Sequence, residues 1–293
     1  MKNYELTVDE LLKIKDIFEK KNWEIINEDL SHFDRYCQKI EQFKSKEQKE
    51  LILELTERYL WIKSTNYITH LEIALKKLLN VKKIKKILKR NEKKEKKTKI
   101  YVTPLMTPKD FFRTKSFHYF AYLFTGNELY NKFPKINFEL INLKINIKEQ
   151  YLREVNEYLN KDNTIFIAVD DFIGTGDTAK KYIQTFSFCK NIENLIILTL
   201  VIQKEAIQKI KENYPKIKIF SSVIRKKGIS DCYFNSELSK KISTMKQIEK
   251  KLEKLDKKFL FGYGRSESLV TMIRTPNNTF PIFWHGENPP FPR

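Results

Sequence analysis

Asp170 and Asp171 stand side by side at the end of an apolar run, two residues ahead of a glycine- and threonine-rich turn, in 165-IFIAVDDFIGTGDTAKKYI-183. Ionised carboxylates only accept hydrogen bonds, so an adjacent pair suits the hydroxyls of a ribose or a bound magnesium ion. The turn offers the opposite tool. Gly174 and Gly176 let backbone N–H groups approach a ligand without a Cβ in the way, and Thr175 and Thr178 add hydroxyl donors. A helix starting near Asp177 or Thr178 adds unpaired N–H groups and the positive end of its dipole, worth about 0.3–2 kcal/mol to an anion. Carboxylates for sugar hydroxyls beside amides for a 5′-phosphate describe a ribose-5-phosphate site. The turn also reads as an ordinary glycine-rich strand-to-helix connection, a reading that leaves the acidic pair without a task. In a continuing strand the two side chains point to opposite faces. At a strand end both reach the pocket; otherwise one binds ligand and the other braces the loop.

The elements around this turn decide what it can be. Short apolar runs at 100–105, 138–143, 164–171, 194–202 and 216–224 alternate with the amphipathic segments SFHYFAYLF, IKEQYLREVNEYLN, DTAKKYIQTF and KEAIQKIKENY. Nearly all-apolar strands separated by helices predict a mostly parallel sheet covered on both faces, a doubly wound α/β domain with ligands at the carboxyl ends of its strands. Residues 1–97 read differently, as an all-helical region. Thr7 and Glu10 form a capping-box pattern ahead of Leu11, Ile14, Ile17 and Phe18, and three more helical segments follow without a glycine or proline. The expected organisation is a helical region over 1–97 and an α/β domain over 98–293 with a C-terminal extension. A helical stretch around 236–257 and a Gly/Pro/aromatic tail close the chain.

Composition narrows the classes. The three cysteines are far apart and the four histidines share no metal-ligand spacing, so the reading is a reduced, cytoplasmic protein without disulfides or zinc. No apolar run approaches the roughly 20 residues of a membrane span, and a membrane partner is not expected. The formal charge of +19 favours an anionic partner, a phosphorylated metabolite or nucleic acid. The densest basic run, 82-KKIKKILKRNEKKEKKTK-99, lacks interleaved aromatics and reads first as a solvated helix and linker.

The order apolar strand, Asp-Asp, two residues, Gly-Thr-Gly-Asp-Thr resembles the phosphoribosyl pyrophosphate motif of type I phosphoribosyltransferases. The resemblance implies that Asp170 and Asp171 contact ribose hydroxyls and a ligand-borne Mg²⁺, and that Gly174, Thr175, Gly176, Asp177 and Thr178 hold the 5′-phosphate. Asp177 departs mildly from the pattern, because negative charge beside a phosphate is unfavourable. As the residue capping the helix, it can turn its carboxylate away while its amide serves the ligand. The family's pyrophosphate loop corresponds to 105-LMTPKDFFRTKSFHYFAYLF-124, which lacks the usual short glycine-bearing loop. Arg113, Lys115 and Ser116 are its candidate pyrophosphate ligands, and a solvated basic loop is the competing reading. HFDRYCQKIEQF, ELILELTERYLW and GYGRSESLV…TPNNTFPIFWH resemble a bacterial phosphoribosyltransferase-like subgroup found in anti-phage systems, some associated with retrons. Within that resemblance Tyr263 and Arg265 are candidates for the base side of the pocket, or an ordinary packed strand end. The implied activity is chemistry at the anomeric carbon of phosphoribosyl pyrophosphate or a nucleotide, as a defence effector. The alternative is a non-catalytic nucleotide sensor that engages nucleic acid or a reverse transcriptase–RNA/DNA partner.

Overall fold

A computed structural model describes residues 4–25, 31–107, 116–141, 148–161, 164–189 and 191–292. The chain divides into two compact units, one formed by Met1–Lys63 with Lys226–Arg293 and the other by Ser64–Arg225. The border expected at residue 97 therefore falls inside the second unit, because the two helices before it cover the sheet.

The first unit opens with α1 (Val8–Lys20), α2 (His32–Glu41), α3 (Lys46–Glu57) and the short strand β1 (Leu60–Trp61). The capping box forms as the sequence predicts: Thr7 Oγ1 accepts the Glu10 N–H at 3.2 Å, and Glu10 Oε2 accepts the Thr7 N–H at 2.9 Å. Ile14, Ile17 and Phe18 are buried on the inner face of α1.

The second unit holds α4 (Tyr67–Leu79), α5 (Lys82–Glu92), β2 (Thr98–Pro104), α6 (Ser116–Tyr122), α7 (Asn127–Lys132), β3 (Ile136–Leu140), α8 (Lys148–Asn160), β4 (Ile165–Ile173), α9 (Asp177–Thr185), β5 (Leu195–Gln203), α10 (Lys204–Asn213) and β6 (Lys218–Arg225). Its five strands run in the order β3-β2-β4-β5-β6, every neighbouring pair parallel. β5 is buried along its whole length, as a central parallel strand covered on both faces must be. Chain order leaves β2 toward β3 on one side and resumes with β4 on the other. The crevice at the carboxyl ends of β2 and β4 is thus the topological switch point, where open α/β sheets bind ligands. One sheet face packs on α8, α9 and α10 through Phe166, Ala168, Val155, Tyr182 and Ile210. A buried polar string crosses that core, Thr103 Oγ1 to Tyr151 hydroxyl at 2.7 Å and on to the Tyr182 hydroxyl at 3.3 Å. In α5 the isoleucines Ile84 and Ile87 are buried while Lys82, Lys83, Lys85, Lys86, Lys89 and Arg90 face solvent, so this helix is packed along one side and solvated along the other.

The chain returns to the first unit with α11 (Asn235–Lys250) and β7 (Val270–Thr271), whose two residues pair in parallel with β1. The joint core of that unit is rich in aromatic rings; Tyr59 and Phe291 stack at 4.5 Å and Trp23 meets Phe18 edge-on at 5.2 Å. Among the described residues no helix is long and apolar enough to cross a membrane.

Candidate phosphoribosyl site at the end of strand β4

Strand β4 runs past the aspartates to Ile173, two residues further than the sequence suggests. Its partner β2 has already stopped at Pro104, paired with Val169, so the last residues of β4 lie beyond that neighbour and pair with β5. The ladder skips Asp171 opposite Leu200, and Leu200 opposite Ser222, with no residue gained or lost on either side. Asp170 and Asp171 lie at this interruption.

The two carboxylates have different surroundings. Asp171 is buried, and its Oδ2 accepts the hydroxyl of Tyr67, the first residue of α4, at 3.0 Å. Tyr67 is itself fully buried, held edge-on by Phe120 at 6.2 Å. Asp170 keeps an accessible edge, although its carboxyl sits deep among protein atoms. That burial, reinforced by the Asp171 carboxyl beside it, pushes Asp170 well above the ordinary carboxylate range. The pair is asymmetric: Asp171 is anchored to the scaffold by Tyr67, and Asp170 is the more accessible of the two.

The turn that follows supplies the opposite polarity. Gly176 caps α9 in the left-handed conformation, with φ of 79°. A Cβ there would lie 3.2 Å from both Cα and Cβ of Ala206, so both the torsion and the tight contact favour glycine. Asp177 is the first helical residue and Gly176, not Asp177, is the cap. The Asp177 carboxylate is taken up within the protein by Lys209 of α10 and by the Thr175 hydroxyl, the latter at 2.9 Å. Burial alone would raise its pKa, but these two hydrogen bonds outweigh burial and hold it below the ordinary value. The N–H groups of Thr175, Gly176 and Thr178 find no acceptor among the described residues. Three unpaired donors, a helix N-terminus and a neutralised acid make a cradle for an anion beside Asp170.

Sequence reasoning missed Tyr67 and Lys209. Each sits in an ordinary amphipathic helix, and neither spacing nor composition separates it from its neighbours. Of the other candidates, Arg113 and Lys115 lie outside the described residues, and Ser116 opens α6. Tyr263 and Arg265 belong to the first unit. They form a 3₁₀ turn after another 3₁₀ turn, Lys257–Phe259, where the sequence suggests a preceding strand. A cavity of about 570 Å³ between Leu88, Thr98, Phe133 and Ile136 lies at the amino ends of β2 and β3, the end of the sheet away from the aspartates.

Among the described residues no three His, Cys, Asp or Glu side chains gather as a metal site. Two adjacent carboxylates nevertheless fit the way magnesium binds, through one or two protein carboxylates, with waters and ligand phosphates completing the shell. The like-charged crowding at Asp170 is also the kind of cost that a cation relieves.

The sequence profile of the family described as PRTase-CE matches residues 36–293. No curated protein matches the chain. Among solved structures, the AQ2163 protein from Aquifex aeolicus is similar at 15% identity over 43% of this chain, with a TM-score of 0.26. The chain spans 55% of that protein's length.

Proposed function

From the premise that the chain belongs to the PRTase-CE family, a phosphoribosyltransferase-like family, we propose that the end of β4 binds a ribose-5-phosphate moiety and acts at its anomeric carbon. The observation that carries this reading is the set of unpaired N–H groups at Thr175, Gly176 and Thr178, left open while Lys209 and Thr175 remove the nearby Asp177 charge. The 5′-phosphate takes these three donors. Asp170 accepts the ribose hydroxyls, and Asp171, braced by Tyr67, fixes the orientation of the pair. Asp170 and Asp171 would hold Mg²⁺, which neutralises the pyrophosphate of the ligand when bound. No separate general base is demanded, because positioning and charge neutralisation supply much of the rate when a pyrophosphate leaves the anomeric carbon and a nucleophile takes its place. Arg113, Lys115 and Ser116 remain the pyrophosphate side of this proposal.

A defence role extends the proposal. Its support is the resemblance of the end motifs to the anti-phage subgroup, together with a family match that runs through the C-terminal one. In that setting the acceptor or target is a nucleotide, and a reverse transcriptase–RNA/DNA complex is the controlling partner.

The test incubates the protein with phosphoribosyl pyrophosphate and nucleotide pools, with and without magnesium, and follows products by mass spectrometry. Magnesium-dependent products are expected from the wild type and not from Asp170→Asn/Asp171→Asn. Identical product profiles for the two proteins would refute catalysis at this site.

A further inference from the structure

A second cavity, about 580 Å³, opens within the first unit between α11 and the loop that follows it. Its size is that of a small-molecule pocket. Lys246 and Lys250, one turn apart on α11, line one side, and Lys257, Lys258 and Arg265 line the other. All five are exposed at the mouth, and Leu260 and Phe261 form an apolar wall between them. Among the described residues Lys246, Lys250 and Lys257 have no ion-pair partner, whereas Lys258 pairs with Asp256 at 2.6 Å. The one acid in the lining, Glu249, is buried and accepts the Phe261 N–H on both carboxylate oxygens, at 2.8 and 3.1 Å. Burial, with Glu267 adding to it, pushes Glu249 up to about 8, against the opposing pull of the Phe261 N–H and of Arg265. Near neutral pH the acid is therefore largely uncharged and does not cancel the lysines.

The loop itself is built at a cost. Phe261, Arg265 and Glu267 all have positive φ, as do Gly262 and Gly264. Non-glycine residues hold such torsions only where their surroundings over-determine them, and such places cluster at ligand sites. Here Glu267 accepts the N–H groups of Ile229 and Ser230 at 2.9 and 2.7 Å, and Asn277 and Asn278 carbonyls accept from Tyr263 N–H and the Ser266 hydroxyl. Gly262 lies so close to the Asn278 carbonyl that a Cβ would approach its oxygen to 1.9 Å. The TPNNT segment thus clamps this loop, which carries Arg265 at the cavity mouth.

We propose that this cavity binds a nucleoside polyphosphate, its phosphates on Lys246, Lys250, Lys257, Lys258 and Arg265 and its base against Leu260 and Phe261. The proposal stands whether or not the end of β4 is a phosphoribosyl site. Calorimetry with ATP, tripolyphosphate and a single-stranded oligonucleotide tests it on four proteins. These are the wild type, Lys246→Gln/Lys250→Gln, Leu260→Ser, and Asp170→Asn/Asp171→Asn. ATP is expected to bind the wild type more tightly than tripolyphosphate does. It should bind the lysine variant at least roughly tenfold more weakly, and the aspartate variant should still bind ATP, because this cavity contains no part of β4. Leu260→Ser should weaken ATP and leave tripolyphosphate unchanged. Equal ATP affinity in the wild type and the lysine variant overturns the site. Loss of ATP binding in the aspartate variant alone places the nucleotide at β4 instead and also overturns it. Equal affinity for ATP and tripolyphosphate removes the nucleoside from the assignment. A preference for the oligonucleotide, lost in the lysine variant, replaces the small ligand with a nucleic acid strand.

Discussion

Replacing Glu249 by Gln isolates the most perturbed acid of the first unit. In the folded protein its pKa is about 8, against an ordinary 4.5. Between those values the folded state keeps a proton that the unfolded chain releases, so stability falls as pH rises. The benefit of the protonated form is fully present below about pH 4.5 and gone above about pH 8. The slope within the window is about 1.4 kcal/mol per pH unit, which accumulates to about 5 kcal/mol across it. Glu249 is only 2% exposed, so solvent screening gives little reason to discount this figure. Gln keeps the shape and one carbonyl oxygen for the Phe261 N–H but cannot ionise. Urea unfolding of the two proteins at about pH 5, 7 and 9 reads the difference. All three tryptophans, Trp23, Trp61 and Trp284, lie in the same unit as Glu249, so their fluorescence follows the relevant transition. The variant should match the wild type at the acid end and exceed it by several kcal/mol at the alkaline end. Parallel pH profiles for the two proteins would refute both the raised pKa and the neutral-acid account of the basic cavity.

Two further outcomes concern the end of β4. Gly176→Ala forces a left-handed alanine against Ala206 and should cost about 1–3 kcal/mol, read as a lower melting temperature, with phosphoribosyl pyrophosphate binding lost in calorimetry. An unchanged melting temperature would show that the turn relaxes freely. Tyr67→Phe removes the hydroxyl that Asp171 accepts at 3.0 Å and should cost about 1.5–3 kcal/mol in thermal unfolding, because the bond is to a charged group. Unaltered stability and unaltered ligand affinity together would remove Tyr67 from the account of the site.

The strands of the sheet were legible because a parallel sheet covered on both faces leaves a strong signature of continuous apolar runs. The five predicted runs and β2 to β6 coincide to within two or three residues. The turn was legible for a related reason: glycine at 176 is favoured by a torsion and a close contact that a side chain meets only under strain, so the preference is written in the residue type. The grouping of the chain into units was not. Residues 1–63 pack with residues 226–293 through large aromatic side chains, and nothing in the periodicity of a helix says which distant segment will cover it. The GYGRSES loop was misread as the end of a strand for the opposite reason. Its shape comes from Glu249, the Asn277–Asn278 carbonyls and the Ile229 and Ser230 N–H groups that Glu267 accepts, partners supplied by other parts of the chain.

The same distinction explains what the acidic pair became. From the sequence, Asp170 and Asp171 are equivalent, and alternation along a strand argues only that they diverge. The difference between them is made by a residue about a hundred positions away, since Tyr67 ties Asp171 into the scaffold and leaves Asp170 the more accessible of the two. A carboxylate fixed by a buried donor is costly to move and suits the task of orienting; one pushed upward by burial and a like charge gains most from a cation or a hydroxyl-rich ligand. Lys209 makes the complementary contribution from α10 by cancelling the one charge that would repel a phosphate at the turn. The proposed site thus takes its ligand-facing atoms from the motif, while the two helices that flank it decide which of its charges remain available.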